Sequence, residues 1–127
     1  MNGKTGAGII LKDNTDRILL VLGREHSKWS FPKGHFERID GTLMRCAERE
    51  TMEETGLDVS IPKEAKYWVC SKYMYYFTTV EKSVKAFVNR RNEEEITKVQ
   101  WFTFDQLCDL RNGNFAVRKF VENMADA

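Results

Sequence analysis

The feature that most constrains the fold is a helix that the sequence predicts between Thr42 and Gly56. The intervening stretch, from Leu43 to Thr55, contains no Gly or Pro and consists largely of strong helix formers. The Thr42 hydroxyl can cap the start of this helix, and Gly56 suits the left-handed residue that ends one. Apolar and aromatic runs precede and follow the stretch. A capped helix between strands indicates a mixed α/β or α+β sandwich.

One face of this predicted helix changes from apolar to acidic along its length. At 100° per residue, Glu53 and Glu54 lie about 60° and about 40° to either side of Glu50. The same arc carries apolar residues one to two turns earlier, namely Leu43, Cys46 and Ala47. Packing of the apolar part on a core would leave the three carboxylates together at its edge. Arg49 precedes Glu53 by four residues and can pair with it, which would orient that carboxylate.

Three carboxylates this close repel one another and raise each other's pKa unless a cation lies among them. Hard divalent cations prefer oxygen ligands, and Mg²⁺ in particular is held by a few carboxylates together with substrate phosphates. A solvated, charged helix face is the alternative interpretation, since charge runs are common on protein surfaces. The residues that flank the acidic face decide between the two.

Runs of apolar and aromatic residues predict the remaining elements. An Asx-rich segment separates the first two aliphatic runs, which is typical of a hairpin. The predicted elements are strands over 6–12 and 17–23, a loop over 24–42, strands over 65–79, 82–90 and 99–102, and one or two helices over 107–124 that break near Gly113. Val, Tyr, Phe and Trp enrich the later strands.

Composition limits the class of protein. The 127 residues fit one domain, so we expect a single domain over residues 1–127. The chain has 20 Lys and Arg residues and 19 Asp and Glu residues, which gives a net charge of +1. Proteins that bind long nucleic acids usually carry a marked basic excess. Any contact with nucleic acid should therefore be local and short.

No stretch of the sequence indicates a membrane-spanning or secreted protein. Apolar runs stay well short of the roughly 20 residues that a transmembrane helix needs, and residues 1–14 do not resemble a signal peptide. The three cysteines, Cys46, Cys70 and Cys108, are widely spaced without a C-x-x-C pair, which argues against a disulfide framework or a zinc site. We expect a cytoplasmic protein in a reducing compartment, a monomer or homodimer without a membrane partner.

A spaced set of residues surrounds the predicted helix. Gly34 and Asp40 precede it, and residues 49–57 read RETMEETGL. This set resembles the Nudix box of the Nudix hydrolases, in which a Gly, five residues, a Glu and seven residues precede Arg-Glu-aliphatic-x-Glu-Glu-x-Gly-aliphatic. There are two departures. Asp40, followed by eight residues, stands where the first Glu is usual, and Thr51 replaces a bulky aliphatic residue.

The resemblance implies the Nudix α/β/α sandwich with a mixed β-sheet, and it implies a metal-dependent hydrolase. Nudix enzymes use Mg²⁺ or Mn²⁺ to cleave a pyrophosphate bond in a nucleoside diphosphate that is linked to another group. By position, Glu50, Glu53 and Glu54 match the metal ligands of the family, and the main-chain carbonyl of Gly34 joins them. Arg49 then orients the helix carboxylates.

The general base differs among Nudix subfamilies, and this sequence offers several candidates. Glu53 or Glu54 fits the role, and so does a glutamate in the run Glu93–Glu95. We favour Glu95 as base and metal ligand. The dipeptide EI at that position, followed four residues later by WF, is similar to a second element of decapping Nudix enzymes. A solvated acidic loop is the alternative interpretation of the run.

The residues just before the box are similar to those of two Nudix groups. Residues 29–34 read WSFPKG. Dinucleoside polyphosphate hydrolases carry Trp-x-x-Pro-Lys-Gly-His, which His35 completes, whereas mRNA-decapping enzymes carry Trp-x-Phe-Pro-Lys-Gly-Lys, which Phe31 fits. In both groups Lys33 would place its ammonium near the phosphate chain, and a plain surface lysine is the alternative. His35 either polarises a phosphate or caps the loop.

Aromatic side chains provide candidate partners for a nucleotide base. Trp29, Tyr75 and Tyr76 can each stack on a base ring, and ordinary strand core is the alternative. Tyr73 and Tyr75 would share one side of a strand, with Tyr76 on the other. At most one of these two sets should face a ligand.

We expect a small nucleotide polyphosphate as the substrate, and a dinucleoside or nucleoside polyphosphate in particular, because the near-zero net charge disfavours a long RNA. An mRNA 5′ cap or a short RNA 5′ end is the second expectation. Diphosphoinositol polyphosphates and oxidised nucleotides are further alternatives. A non-catalytic nucleotide-binding Nudix module is the non-enzymatic alternative, but such modules usually lack one or more box glutamates, and all three are present here.

Overall fold

The computed structural model describes residues 5–81, 85–87 and 95–125. In this part of the chain, seven strands form one sheet. The elements are β1 (Gly6–Asp13), β2 (Ile18–Gly23), β3 (Trp29–Ser30), β4 (Lys33–His35), a 3₁₀ turn (Arg38–Asp40), α1 (Leu43–Thr55), β5 (Tyr67–Cys70), β6 (Tyr73–Val80), β7 (Ile96–Phe102), α2 (Phe104–Cys108) and α3 (Phe115–Ala125).

The sheet is mixed because β1 pairs in parallel with β6 and antiparallel with β2 and β4. The strand order is β3-β2-β1-β6-β5, and in addition β4 pairs with β1 and β7 with β2. A tight turn joins β1 to β2. Within it, the Asp13 carboxylate accepts the main-chain N–H groups of Thr15 and Arg17 at 2.9 and 3.0 Å. The predicted Asx-rich hairpin is therefore confirmed.

Two hydrophobic clusters lie on opposite faces of the sheet. Ile9 of β1 belongs to the cluster that contains Ala47 of α1, whereas its neighbour Ile10 belongs to the cluster that contains Phe120 of α3. This alternation follows from the two-residue period of a strand, which sends successive side chains to opposite faces. The predicted α/β/α sandwich with a mixed sheet is confirmed.

The prediction of the central helix holds at the level of single residues, whereas the helical region predicted over 107–124 begins earlier, at Phe104. Helix α1 covers the predicted stretch, the Thr42 hydroxyl accepts the N–H of Arg45 at 3.1 Å, and Gly56 ends the helix with a φ of 76°. Helices α2 and α3 lie on either side of Gly113, so the predicted break there is also confirmed.

Several strand predictions need correction. Residues 24–42 are not a loop throughout, because β3, β4 and the 3₁₀ turn lie within them. The strand predicted over 65–79 is two antiparallel strands, β5 and β6, with Ser71 between them at a φ of 55°. Strand β7 begins earlier than predicted, at Ile96. The strand predicted over 82–90 falls mainly outside the described residues.

The start of β1 positions the site. Strand β4 pairs with it so that Gly6 lies opposite His35 and Gly8 lies opposite Lys33. Helix α1 packs against both β1 and β4. The acidic half of α1 is thereby held beside Lys33, whose main-chain N–H donates to a carboxylate oxygen of Glu54 at 3.2 Å. None of the helices in the described ranges is long and apolar enough to cross a membrane.

Candidate active site

The acidic half of α1 and strand β4 border a pocket of about 650 Å³. The site residues predicted from sequence that line it are Lys33, Gly34, His35, Glu50, Glu53, Glu54 and Glu95. Glu95 reaches the pocket from the residue before β7, and its carbonyl accepts the main-chain N–H of Arg24 at 2.8 Å. The fold therefore brings together residues that are up to 62 positions apart in the sequence (95 − 33).

Two of the helix carboxylates are held in a poorly solvated environment. Glu54 is 7% exposed, and burial raises its pKa from 4.5 to about 8, against the opposing hydrogen bond from Lys33. Burial likewise raises the pKa of Glu50 to about 7, while the neighbouring Arg49 opposes the shift and Glu53 adds to it. Both shifts arise from desolvation and crowding of negative charge, the conditions that a bound cation relieves.

Arg49 connects the helix carboxylates to the turn that precedes α1. Its guanidinium donates to Asp40 through Nε at 2.6 Å and Nη2 at 2.9 Å, which is a bidentate pair. Its Nη1 lies 3.1 Å from a carboxylate oxygen of Glu50 and 3.1 Å from one of Glu53. Nη2 also donates to the carbonyl of His35 at 3.1 Å. Arg49 thus fixes the orientation of two candidate metal ligands, as the sequence analysis anticipated for Glu53.

Asp40 occupies the first acidic position of the box despite the longer spacing. Its carboxylate is buried, at 6% exposure for the residue, and the Arg49 side chain holds its pKa below the usual value. In addition to the Arg49 hydrogen bonds, Asp40 Oδ2 accepts the main-chain N–H of Glu37 at 2.8 Å, and this hydrogen bond closes the 3₁₀ turn. The role of Asp40 is therefore to anchor Arg49.

Gly34 lies against the carboxylate of Glu50. A Cβ placed on Gly34 would overlap all three carboxyl atoms of Glu50, so no other residue fits here without displacing that side chain. The Gly34 carbonyl accepts the Cys46 thiol at 3.6 Å from beneath. A glycine at the opening position of the box therefore lets the Glu50 carboxylate lie directly against the main chain.

The aromatic residues predicted to stack on a base are core residues instead, which corrects the sequence analysis. Trp29 is 8% exposed and makes an edge contact with Phe102, with the ring centroids 4.9 Å apart. Tyr75 is 1% exposed and packs on Phe31. Tyr76 is buried on the opposite face, in the cluster beneath α1. None of the three lines the pocket, because α1 covers one face of the strands and α3 covers the other.

Other side chains that the sequence analysis did not propose as site residues also line the pocket. Tyr73 is half-buried there, two residues before Tyr75 and on the same side of β6. The segment between β2 and β3 adds the cationic side chains of Arg24 and Lys28 to the rim, together with Glu25 and His26. The alternation of β6 was a usable signal for Tyr73, whereas the rim residues gave no pattern.

The chemistry of the donor set fits Mg²⁺ or Mn²⁺. Within the described ranges, no three His, Cys, Asp or Glu side chains are already arranged around one point as a metal site. Glu50, Glu53, Glu54 and the carbonyl of Gly34 offer oxygen donors, which is the ligand type that hard divalent cations prefer, and His26 and His35 also line the pocket. The contact of Gly34 with Glu50 brings main chain and carboxylate oxygens to the same wall of the pocket.

Comparison with known proteins assigns the class. The model of the NUDIX domain matches residues 3–124, so the chain belongs to the Nudix family. The mRNA-decapping enzyme subunit 2 of Arabidopsis thaliana is 34% identical over 114 residues, which cover 85% of this chain and 30% of that protein. The corresponding subunit of Saccharomyces cerevisiae (strain YJM789) is 29% identical over 103 residues, which cover 77% of this chain and 10% of that protein. The chain thus spans less than a third of the length of these two relatives.

The fold has close counterparts among solved structures. The C. elegans Ap4A hydrolase binary complex superposes with a TM-score of 0.68 at 18% identity, over 95% of this chain and 98% of that chain. At this identity the likeness establishes the fold alone.

Proposed function

We propose that this domain hydrolyses a phosphoanhydride bond of the 5′ cap of an RNA, with a divalent cation bound at the helix carboxylates. The observation that carries the proposal is the pocket itself. In it, the buried carboxylate of Glu54 and the half-buried carboxylate of Glu50 lie beside the cationic Lys33. The β2–β3 segment adds Arg24 and Lys28 to the rim, together with the acidic Glu25. Such a pocket attracts a substrate with a polyanionic chain and a cation to neutralise it.

Each residue of the pocket has a proposed task. Glu50, Glu53, Glu54 and the carbonyl of Gly34 would hold Mg²⁺ or Mn²⁺, which when bound offsets the phosphate charge and activates water. Lys33 would contact the phosphate chain as a point charge. Glu95 lines the pocket from the opposite element and is exposed to solvent. This placement supports Glu95 as the group that takes the proton from the attacking water.

Three observations favour the RNA cap over the dinucleoside polyphosphate that sequence analysis placed first. The dinucleoside expectation relied on Trp29 or Tyr75 as a partner for the base, and both side chains are buried in the core. The sequence relatives at 34% and 29% identity are mRNA-decapping subunits. Arg24 and Lys28 on the rim also supply cationic contacts for phosphates beyond the reacting bond.

A dinucleoside polyphosphate is the second candidate substrate. His35 favours it, because the imidazole lines the pocket directly after the Trp-x-x-Pro-Lys-Gly segment that the dinucleoside polyphosphate hydrolases share. A histidine here adds a hydrogen-bond donor for a short phosphate chain without the permanent charge that a lysine would bring.

Catalytic efficiency on two substrates distinguishes the candidates. We expect a capped RNA of about 20 nucleotides to exceed diadenosine tetraphosphate by more than about tenfold, with an advantage that shrinks as salt rises, because added phosphate contacts steepen the salt dependence. Both substrates are tested with Mg²⁺ and with Mn²⁺. A dinucleotide that is cut more efficiently at both salt concentrations would establish the second candidate instead. The Glu54→Gln variant, which should lose activity on both, controls for a contaminating hydrolase.

A further inference from the structure

Lys33 and Tyr73 are in direct contact inside the pocket. The Lys33 ammonium nitrogen lies 4.6 Å from the centroid of the Tyr73 ring, well within the range of a cation–π interaction. Both side chains line the same wall of the pocket. The ring face beneath the ammonium is occupied by it, so Tyr73 does not offer that face to a nucleotide base.

The Tyr73 ring is itself held in place by its surroundings. Gly6 is its register partner on the parallel strand β1, and a Cβ on Gly6 would come within 2.7 Å of the ring. The Tyr75 ring lies 6.2 Å away along the strand, and the His35 ring lies 6.1 Å away on β4. A glycine that admits the ring, with rings on two sides, fixes the plane on which the ammonium rests.

The fixed ring matters because Lys33 lies next to the buried carboxylate of Glu54. Its positive charge lowers the pKa of Glu54, and its own main-chain N–H binds that carboxylate. Nevertheless, the ammonium makes no ion pair with any residue in the described ranges. An aromatic face stabilises a cation without neutralising its charge, so it can hold an ammonium that would otherwise move toward the metal ligands.

We propose that Tyr73 is a positioning residue that holds the Lys33 ammonium over the pocket, where it is free to contact the phosphate chain of the substrate. This inference rests on the proposed function, because that function supplies the phosphate chain. In this proposal the face of the Tyr73 ring holds the ammonium, and the Tyr73 hydroxyl has no role.

The contact is measured first without any substrate. In the wild-type protein, ring current from Tyr73 should shift the ε-methylene protons of Lys33 upfield in a ¹H–¹³C NMR spectrum, with the signal assigned by Lys33→Arg. The shift should persist in Tyr73→Phe and disappear in Tyr73→Leu. An unchanged Lys33 signal in Tyr73→Leu would overturn the proposal, whatever the protein hydrolyses.

Kinetics with capped RNA then test the consequence. Tyr73→Leu should lower kcat/KM by about 2- to 30-fold, the range that corresponds to a cation–π contact, and Tyr73→Phe should recover to within about threefold of wild type. The Lys33→Met, Tyr73→Leu double variant should be no worse than Lys33→Met alone, since both changes remove the same contact. Additive losses, or a Tyr73→Phe variant as impaired as Tyr73→Leu, would contradict the proposal.

Two controls keep the outcome interpretable. Tyr67→Leu removes an exposed tyrosine from edge strand β5, outside the pocket, and should leave kcat/KM unchanged. If Tyr73→Leu does not fold, phenylalanine analogues of increasing fluorination at position 73 keep the ring's shape while weakening its negative face, and kcat/KM should fall in step. A wild-type protein that cuts neither capped RNA nor diadenosine tetraphosphate would refute the proposed function, while the NMR shift still decides whether the contact exists.

Discussion

The two ends of β1 open onto hollows of nearly equal size and opposite chemistry. At the Gly6 end lies the candidate active site, about 650 Å³, where carboxylates of α1 face Lys33. At the Lys12 end lies a hollow of about 700 Å³, between the sheet and α3. Its walls are mainly apolar, with Phe77, Phe120 and Met124 among them.

The difference between the hollows teaches that volume does not identify a site. The charges of the apolar hollow are exposed and solvated, as in the Lys12–Asp16 ion pair, where the side chains are 48% and 85% exposed. In the active site, by contrast, Glu54 is buried and its pKa is strongly displaced. Carboxylates with strongly displaced pKa values cluster at functional sites, and this crowding, not volume, is why we propose the smaller hollow as the active site.

The largest expected effect is on turnover, and it should differ between a glutamate of the first hollow and a glutamate of the second. Glu54→Gln should lower turnover by at least about 10²-fold, the scale for loss of a metal-holding or acid–base group. Glu64 lines the apolar hollow and is exposed, so Glu64→Gln is the matched control and should leave turnover unchanged. Steady-state kinetics and a thermal melt of both variants provide the measurement. A fully active Glu54→Gln protein would show that the metal site has been misplaced.

Metal binding should act on the first hollow alone. A divalent cation that binds the folded carboxylates and not the unfolded chain stabilises the protein by about 2.7 kcal/mol at 100 times its dissociation constant. We therefore expect Mg²⁺ or Mn²⁺ to raise the Tm of the wild-type protein and of Glu64→Gln equally. The rise should vanish in the Glu50→Gln, Glu53→Gln double variant. An equal rise in that variant would locate the cation elsewhere.

In metal-free protein, the carboxyl groups of Glu50 and Glu54 should also make stability depend on pH. The folded-state pKa values of Glu50 and Glu54, about 7 and about 8, lie above the unfolded value of 4.5. Protonation therefore favours the folded state below pH 4.5, and this contribution is lost as pH rises through 7 to 8. Each unit of pKa difference corresponds to about 1.4 kcal/mol.

Urea titrations in chelator at pH 5 and pH 8 test this dependence. Relative to wild type, the Glu50→Gln, Glu54→Gln double variant should lose less stability between the two pH values. The same loss in both proteins would assign the dependence to other groups.

The smallest effect concerns the side of α1 that faces the core. The Thr51 hydroxyl is buried without a hydrogen-bond partner among the described residues. Thr51→Val replaces it with a methyl group of similar shape, and should raise the free energy of unfolding by about 1 kcal/mol, because an unsatisfied buried hydroxyl is costly. Chemical denaturation measures the gain, and kcat should not change. A loss of stability would indicate that the hydroxyl has a partner after all.

Local sequence signals were sufficient where an element is stabilised by its own residues. Helix α1 was predicted to the residue because Thr42, Gly56 and the helix formers between them act within a few positions of one another. Strand β4, with the sequence KGH, has no strand propensity of its own and exists because it pairs with β1. Pairing between distant segments leaves no local signal, so it was missed.

The same limit explains the aromatic residues. Alternation correctly placed Tyr73 and Tyr75 on one side of β6 and Tyr76 on the other. It could not tell that α3 covers Tyr75 while Tyr73 remains open to the pocket, since that depends on where a helix from the end of the chain packs. The carboxylates were easier to place because their helical spacing alone brings them together.

The bidentate pair between Arg49 and Asp40 has a consequence for how the box can vary. The extra residue relative to the family pattern falls in the segment that contains Gly41, where the chain turns with a φ of 76° and a Cβ would meet nothing within 4 Å. The Arg49–Asp40 pair nevertheless joins the turn to α1 across this longer segment. Searches that demand a fixed spacing will pass over chains of this kind. The Gly41 turn is also the place where a protein engineer has room to lengthen the box without disturbing its carboxylates.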